Sequence, residues 1–187
     1  MKHNLIKPFL MAILAIFIIA GCSKKEVNPV AINEKTDKCE ICHMAVKDNE
    51  FATEIMLENG KSMVFDDIGC MYKWLKENND KKVANSYVKD YDSKKWIEAE
   101  KASYVYDKPI KTPMAYNVIS FTDKKDAQSF IDQHGGSLLT YDKLQSHTWE
   151  KNEEMVKEMK EKMKMHDGHD GHDGHDGMDM EHSEDSH

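Results

Sequence analysis

Cysteine and proline are scarce in this chain, 4 residues each among 187. Basic residues are outnumbered, 26 Lys and Arg against 34 Asp and Glu. So few cysteines exclude a small domain stapled by a dense disulfide framework. The −8 overall is misleading as an average, because residues 166–187 carry eight acidic residues and no Lys or Arg; the rest is close to neutral, and nothing is basic enough to suggest nucleic acid. Long apolar runs are missing too: residues 9–20 stand alone, short of the ~20 apolar residues a membrane-spanning helix needs. No nucleophile and base stand in a recognisable pattern, so neither an enzyme nor a small-molecule substrate is expected.

The one apolar run has the length of a signal-peptide core and is preceded by Lys2 and Lys7. It stops at Ile19-Ala20-Gly21-Cys22, followed by Ser23, Lys24 and Lys25. Small residues before a cysteine in that place resemble a bacterial lipobox, whose cysteine takes a lipid and becomes the mature N-terminus. The bland alternative, an ordinary signal peptide with a chance cysteine, fits motif and position less well. Residues 1–21 are therefore expected to be a leader and Cys22 the lipidation site. Residues 22–37, polar and carrying Pro29, are expected to be a tether. The protein then sits on the extracytoplasmic side of a bacterial membrane, held by lipid. Beyond Cys22 remain Cys39, Cys42 and Cys70, an odd number in an oxidising compartment. That count points to a free thiol or a metal ligand.

Residues 51–57 and 62–65 read as strands joined at Asn59-Gly60, the signature of a type I′ hairpin. Asp66-Asp67 is placed to cap a helix whose inward stripe is Ile68, Met71, Tyr72 and Leu75. Strands are expected at 83–88 and 103–106, with Trp96 and Ile97 between them. Pro109 and Pro113 punctuate a loop before a strand at 116–121. Thr122 or Asp123 opens a second helix, with Ala127, Phe130 and Ile131 inward and Gly135-Gly136 at its end. A last strand is expected at 138–141. This is an α+β domain over residues 38–149, strand-strand-helix-strand and then the same order again. Residues 150–165 read as a charged, solvated helix, with Met155, Met159 and Met163 at spacing four. In 166–187 the unit His166-Asp167-Gly168 recurs through Gly177, and glycine at every third place excludes a packed core, so a disordered tail is expected.

Chemistry concentrates in Cys39-Glu40-Ile41-Cys42-His43-Met44. Read literally, C-x-x-C-H is the attachment signature of c-type haem, with His43 as axial ligand. Small haem proteins of that kind are largely helical, whereas strand patterning follows here. A zinc knuckle wants four ligands; Cys70 is a third, and no second C-x-x-C supplies the rest. A redox dithiol belongs at the start of a helix after a strand, and no strand precedes Cys39. A local disulfide or an inert surface pair is always available as an alternative. Two thiols and a thioether within six residues also make a soft donor set suited to Cu(I). Met114, in the loop Thr112-Pro113-Met114, is a further soft donor, although a lone methionine is more often filler. Asp66 and Asp67 read as caps rather than a catalytic pair, and Cys70 as a core residue beside Trp74.

The lipobox at Cys22, Cys39-x-x-Cys42-x-Met44, Phe65-Asp66-Asp67-Ile68-Gly69-Cys70-Met71, Trp96-Ile97-x-Ala99, Thr112-Pro113-Met114 and Gly135-Gly136 together resemble the NosL family, accessory copper lipoproteins of nitrous oxide reductase. The resemblance implies a Cu(I) chaperone with a duplicated strand-strand-helix-strand fold, similar to that of organomercurial lyase. It implies Cys39, Cys42, Met44 and Met114 as metal ligands, with His43 as a further candidate. It implies nitrous oxide reductase or its assembly machinery as the partner. Where the family usually has a small residue such as glycine, this chain has His43, and that difference alone creates the haem-like signature. The competing function is an exported haem electron carrier or a thiol-disulfide oxidoreductase working through Cys39 and Cys42.

The tail holds six of the ten histidines, including His166, His169, His172 and His175. Imidazole with carboxylate suits Cu(II), Zn(II) or Ni(II) better than Cu(I), so a weak, multi-ion store is expected there; a merely solubilising acidic tail is the alternative. Because lipid is the expected anchor, Cys22→Ser should move the processed protein from the membrane to the soluble fraction on cell fractionation. Membrane attachment persisting after leader cleavage would refute the anchor.

Overall fold

The structure, a computed structural model, describes residues 28–167. The leader, Cys22, His169, His172 and His175 lie outside the described residues. No helix among those described is long and apolar enough to cross a membrane. Strands β1 (Thr53–Leu57), β2 (Ser62–Phe65), β3 (Val83–Lys89) and β4 (Trp96–Glu98) form an antiparallel sheet in the order β2-β1-β3-β4. Strands β5 (Ser103–Tyr106), β6 (Val118–Phe121) and β7 (Ser137–Leu139) form a second, in the order β6-β5-β7. Helix α1 (Ile68–Glu77) packs on the first sheet and α2 (Lys124–His134) on the second. Two further helices follow, α3 (Tyr141–Gln145) and α4 (Glu153–Asp167). The mixed α and β composition with antiparallel sheets is as the sequence led one to expect.

The sheets meet where β3 gives way to a turn. Ser120 Oγ donates to the Lys89 carbonyl at 2.6 Å, and Tyr91 N donates to the Ser120 carbonyl at 2.8 Å. Between them Asp90 accepts from Ser93 N and Oγ on one oxygen and from Thr122 N and Oγ1 on the other. Burial pushes this carboxyl up, but those donors outweigh it and hold Asp90 below the usual carboxylate range.

Strand β1 is buried along its whole length rather than on one face. One side faces α1. On the other, Val30 N donates to both oxygens of Glu54, at 3.1 and 3.0 Å, while Ser62 Oγ donates at 2.8 Å. Residues 28–37 are thus not a free tether: Ile32 packs on the core and Val46 N donates to the Asp37 carbonyl.

Other expectations give way for local reasons. Only Gly60 in the β1–β2 turn has positive φ, +84°, so the type I′ turn, which needs two such residues, is not formed. Gly60 N donates to Leu57 O and Leu57 N to Lys61 O, which makes a three-residue loop closed by glycine. Strand β6 starts at Val118 instead of 116 because Ala115 and Asn117 lie at φ +60° and +61°. Strand β7 ends at Leu139 because Thr140 caps α3 through Lys143 N, drawing Tyr141 into a helix. Helix α4 begins at Glu153 and runs through His166 to Asp167, two residues into the expected tail. It is not wholly solvated: Met155 is buried, its sulfur accepting from Asn117 Nδ2 at 3.5 Å.

Asp67 caps α1, its Oδ1 accepting from Gly69 N at 2.9 Å. Of the expected inward stripe Ile68, Met71 and Tyr72 are buried and Leu75 is half-buried, with Trp74 buried as well. Gly69 is there because Tyr116 fills the space: a Cβ would meet the ring at 2.0 to 2.6 Å. Tyr116 in turn meets Trp149 edge-on, and Trp149 stacks on Tyr72 at 4.7 Å. Gly69→Ala should therefore destabilise by about 3 kcal/mol or more, at or beyond the upper end for overpacking, seen as a lowered urea midpoint. An unchanged midpoint would mean that Tyr116 moves aside at no cost.

Candidate metal centre

The C-x-x-C segment folds as a tight knuckle. Lys38 bridges to Ala45, Cys39 N donates to Met44 O at 2.9 Å, and His43 N donates to Cys39 O at 2.9 Å. To close it, His43 takes φ +62°, the left-handed region. Glu40 N donates to Val64 O and pins the knuckle to β2. That strand ends at Phe65, so Asp66 emerges beside the knuckle, Asp67 caps α1, and Cys70 lies in the first helical turn.

These elements bring Cys39, Cys42, Cys70 and Asp66 together, with one ligand atom of each within 4.8 Å of all the others. Cys39 and Cys70 have no exposed surface, Asp66 is 6% exposed, and Cys42 is half-buried. The donor group therefore has an interior wall and a door at Cys42. The Cys42 thiol donates to Asp66 Oδ2 at 3.1 Å. Asp66 Oδ1 is buried and has no hydrogen-bond partner among the described residues.

The thiols are electrostatically unequal. The Cys70 thiol hydrogen-bonds to Cys39, and with the backbone N–H groups of Cys42, Asp66 and Ile41 it overcomes burial and brings Cys39 down to about 7. Burial pushes Cys42 up to about 12, with the Asp66 carboxylate and Cys39 adding to the rise against an opposing hydrogen bond from the Met44 backbone. Cys70 is pushed far above the usual thiol range by its bond to Cys39 and by burial. One sulfur is ready to bind a metal near neutral pH; the others must lose protons to the incoming ion.

Of the residues expected to bind metal, Cys39 and Cys42 are brought together. Met44 lies on the same knuckle, 48% exposed. Met114 is half-buried against the core that includes Cys39 and Cys70, and its N–H donates to Asp67 Oδ2 at 3.0 Å. His43 is exposed. The sequence reading did not bring Asp66 to the cluster, and it weighed Cys70 as a third zinc ligand before preferring a core role. Cys70 is a core residue, as expected, but its thiol partners Cys39 rather than merely filling space. Asp66 does not cap α1; only Asp67 does. The odd cysteine count and the zinc-knuckle reading were the signals in the sequence that pointed to Cys70.

Haem attachment would need both sulfurs to reach one porphyrin edge. Cys39 is wholly enclosed and bonded to Cys70, so the geometry does not support that reading. Nor does the pair open a helix, where a redox dithiol belongs.

The NosL family model matches residues 29–149. The copper-binding lipoprotein NosL of Stutzerimonas stutzeri is 28% identical over 156 residues, spanning 76% of this chain and 82% of that protein. The crystal structure of the copper chaperone NosL from Shewanella denitrificans superposes with a TM-score of 0.54 at 25% identity, covering 62% of this chain and 94% of that one. The first of these relatives is named for copper binding and the second as a copper chaperone.

The knuckle makes a prediction about His43. His43→Gly removes a left-handed side chain and should stabilise by about 0.5–1 kcal/mol, whereas β-branched His43→Val should cost about 1–2 kcal/mol. Both are measured by urea unfolding. Metal affinity should be unchanged in His43→Gly, since the imidazole is exposed and outside the donor group; a fall would make it a ligand.

Proposed function

This chain belongs to the NosL family, and from that premise we propose that it is a membrane-anchored copper chaperone that carries Cu(I) on the extracytoplasmic side and delivers it for assembly of nitrous oxide reductase. The observation that carries the reading is the convergence of three cysteine sulfurs at one half-closed site. Soft sulfur donors select Cu(I), which is satisfied by two or three of them and needs no further ligand. In the proposed site the Cys39, Cys42 and Cys70 thiolates hold the ion. Met44 and Met114 are thioether donors of the mouth, weak enough to be exchanged for a partner's ligands.

The rest of the proposal follows from the parts around the site. Lipid on Cys22 keeps the protein at the membrane where exported copper enzymes are assembled. Residues 166–187 gather divalent ions on His166, His169, His172 and His175 and raise the local copper concentration. We also read the domain as one strand-strand-helix-strand unit used twice, a reading supported by the matching orders β2-β1-β3 and β6-β5-β7.

Anaerobic Cu(I) titration against a competing chelator, with residues 166–187 deleted, tests the assignment. One tight site should remain. Cys39→Ser, Cys42→Ser and Cys70→Ser should each lower affinity by more than about 100-fold, beyond the 10–100-fold typical of outer-shell changes. Met114→Leu should cost about tenfold in Cu(I) affinity while costing under about 1.5 kcal/mol in stability, because leucine replaces its volume but offers no lone pair. Tight binding lost with the tail, or kept in all three cysteine variants, would overturn the site.

A further inference from the structure

We propose that the groove between α2 and the loop 107–111 docks a protein segment through one arginine side chain, its guanidinium seated on aromatic rings and flanked by carboxylates. The proposal is independent of the metal reading. The groove lies over the apolar cluster of Phe121 and Ala127, not the one that holds Cys39 and Cys70. It is a cavity of about 550 Å³. Its floor is a triangle of rings that no single element supplies: Tyr91 comes from the turn after β3, Phe121 from β6 and Phe130 from α2. Their centroids stand 5.7 Å apart for Tyr91–Phe121 and 5.6 Å for each of the other two pairs. Lys89 and Asp90 are already bonded to Ser120 and Thr122, so the floor is set before anything binds.

The rim is one-sided in charge. Asp92, Asp107 and Asp126 line the groove against a single lysine, Lys111. None of these four makes an ion pair among the described residues. Burial pushes the Asp92 carboxyl up, and the negative charges of Asp90 and Asp126 push it further. A carboxylate crowded by its own kind gains from an incoming cation. Solvated aspartates are the bland account of the rim, but they leave the half-buried rings of Tyr91 and Phe130 beneath it unexplained. An apolar occupant would desolvate the carboxylates without pairing them, and a bare metal ion would make poor use of the rings. An organic cation uses both.

Among organic cations arginine fits best. Its planar guanidinium stacks on ring faces, is more weakly hydrated than an ammonium, and presents donors to carboxylates on more than one side. A free small cation suits the place less well, because small-molecule sites bury most of their ligand. Here Asp92, Asp126 and His134 are exposed, so the groove encloses little. A side chain carried by a larger body needs no such enclosure, since its flanking residues add contacts of their own. Half-buried Ile110 and exposed Pro109 offer those residues an apolar wall.

The test titrates the full mature chain, labelled with 15N, with the blocked tripeptide acetyl-Gly-Arg-Gly-amide and follows the amide shifts. Amides of Tyr91, Phe121 and Phe130 should move and saturate in the millimolar range. The same tripeptide with citrulline, an uncharged isostere of arginine, or with lysine should bind about two- to fivefold more weakly, the worth of one exposed ring or carboxylate contact. Asp92→Asn and Asp126→Asn, both at exposed positions where the fold is not at stake, should each cost a similar factor. The acidic residues of 166–187 attract any cation, so their shifts should ignore the exchange of arginine for lysine and both variants. Free arginine should bind more weakly than the tripeptide, because its own carboxylate meets the acidic rim. No saturating shift at the groove, equal binding of the citrulline or lysine tripeptide, or unchanged affinity in both variants would overturn the proposal. Tighter binding of free arginine would make the groove a small-molecule site and overturn docking.

Discussion

The buried carboxylate of Asp67 accepts from backbone groups that the chain places far apart. One oxygen takes Gly69 N and starts α1; the other takes Met114 N from the loop before β6. The Thr112 hydroxyl also hydrogen-bonds to it, while Thr112 Oγ1 accepts from Tyr116 N and Asn117 N. Burial raises this carboxyl to about 6, and those donors oppose the rise. One side chain therefore fixes the start of α1, and with it Cys70, while joining that helix to the second half of the chain. Asp66 and Cys70 flank the joint, so the metal centre inherits its rigidity from it. The ring of Tyr116 against Gly69 is the apolar half of the same joint.

That rigidity explains why the thiols differ so widely although they share one small volume. A donor fixed beside Cys39 lowers it, and the same bond, seen from Cys70, raises Cys70. The group behaves as one proton-sharing unit rather than three independent thiols. A metal entering it displaces protons in turn, so affinity depends on pH as well as on the ion.

Much of this was legible from the sequence, and the failures have identifiable causes. The bounds of β2 and β5 coincide with the expected strands 62–65 and 103–106, and α1 begins after its Asp67 cap. Strand β4 spans three residues, too few for a periodic signal. The start of β6 was misplaced because Ala115 and Asn117 hold positive φ that nothing in their side chains announces. Met155 looked solvated because only the first turn of α4 is docked, by Asn152 N on Ala115 O and Asn152 Nδ2 on Lys108 O. For the site, spacing revealed Cys39 and Cys42, which share one turn. Cys70 and Asp66 reach them through tertiary folding from the β2–α1 junction, and no local pattern encodes that meeting.

The enclosure of the donors also dictates how an ion can leave. Cys39 and Cys70 have no exposed surface, and Trp149 lies over Tyr72 and Tyr116 on the α1 side. An incoming ligand cannot approach from there without unstacking those rings. Cys42 and the exposed Met44 lie on one knuckle, whose Cys39–Met44 backbone bond ties the buried wall to the mouth. In the proposed site ligand exchange therefore begins at Cys42, whose side of the cluster is the exposed one. A competing ligand meets the ion there, on the Cys42 side, since the other two sulfurs have no exposed surface. On the proposed reading, a receiving protein would take the ion by offering donors at that same side.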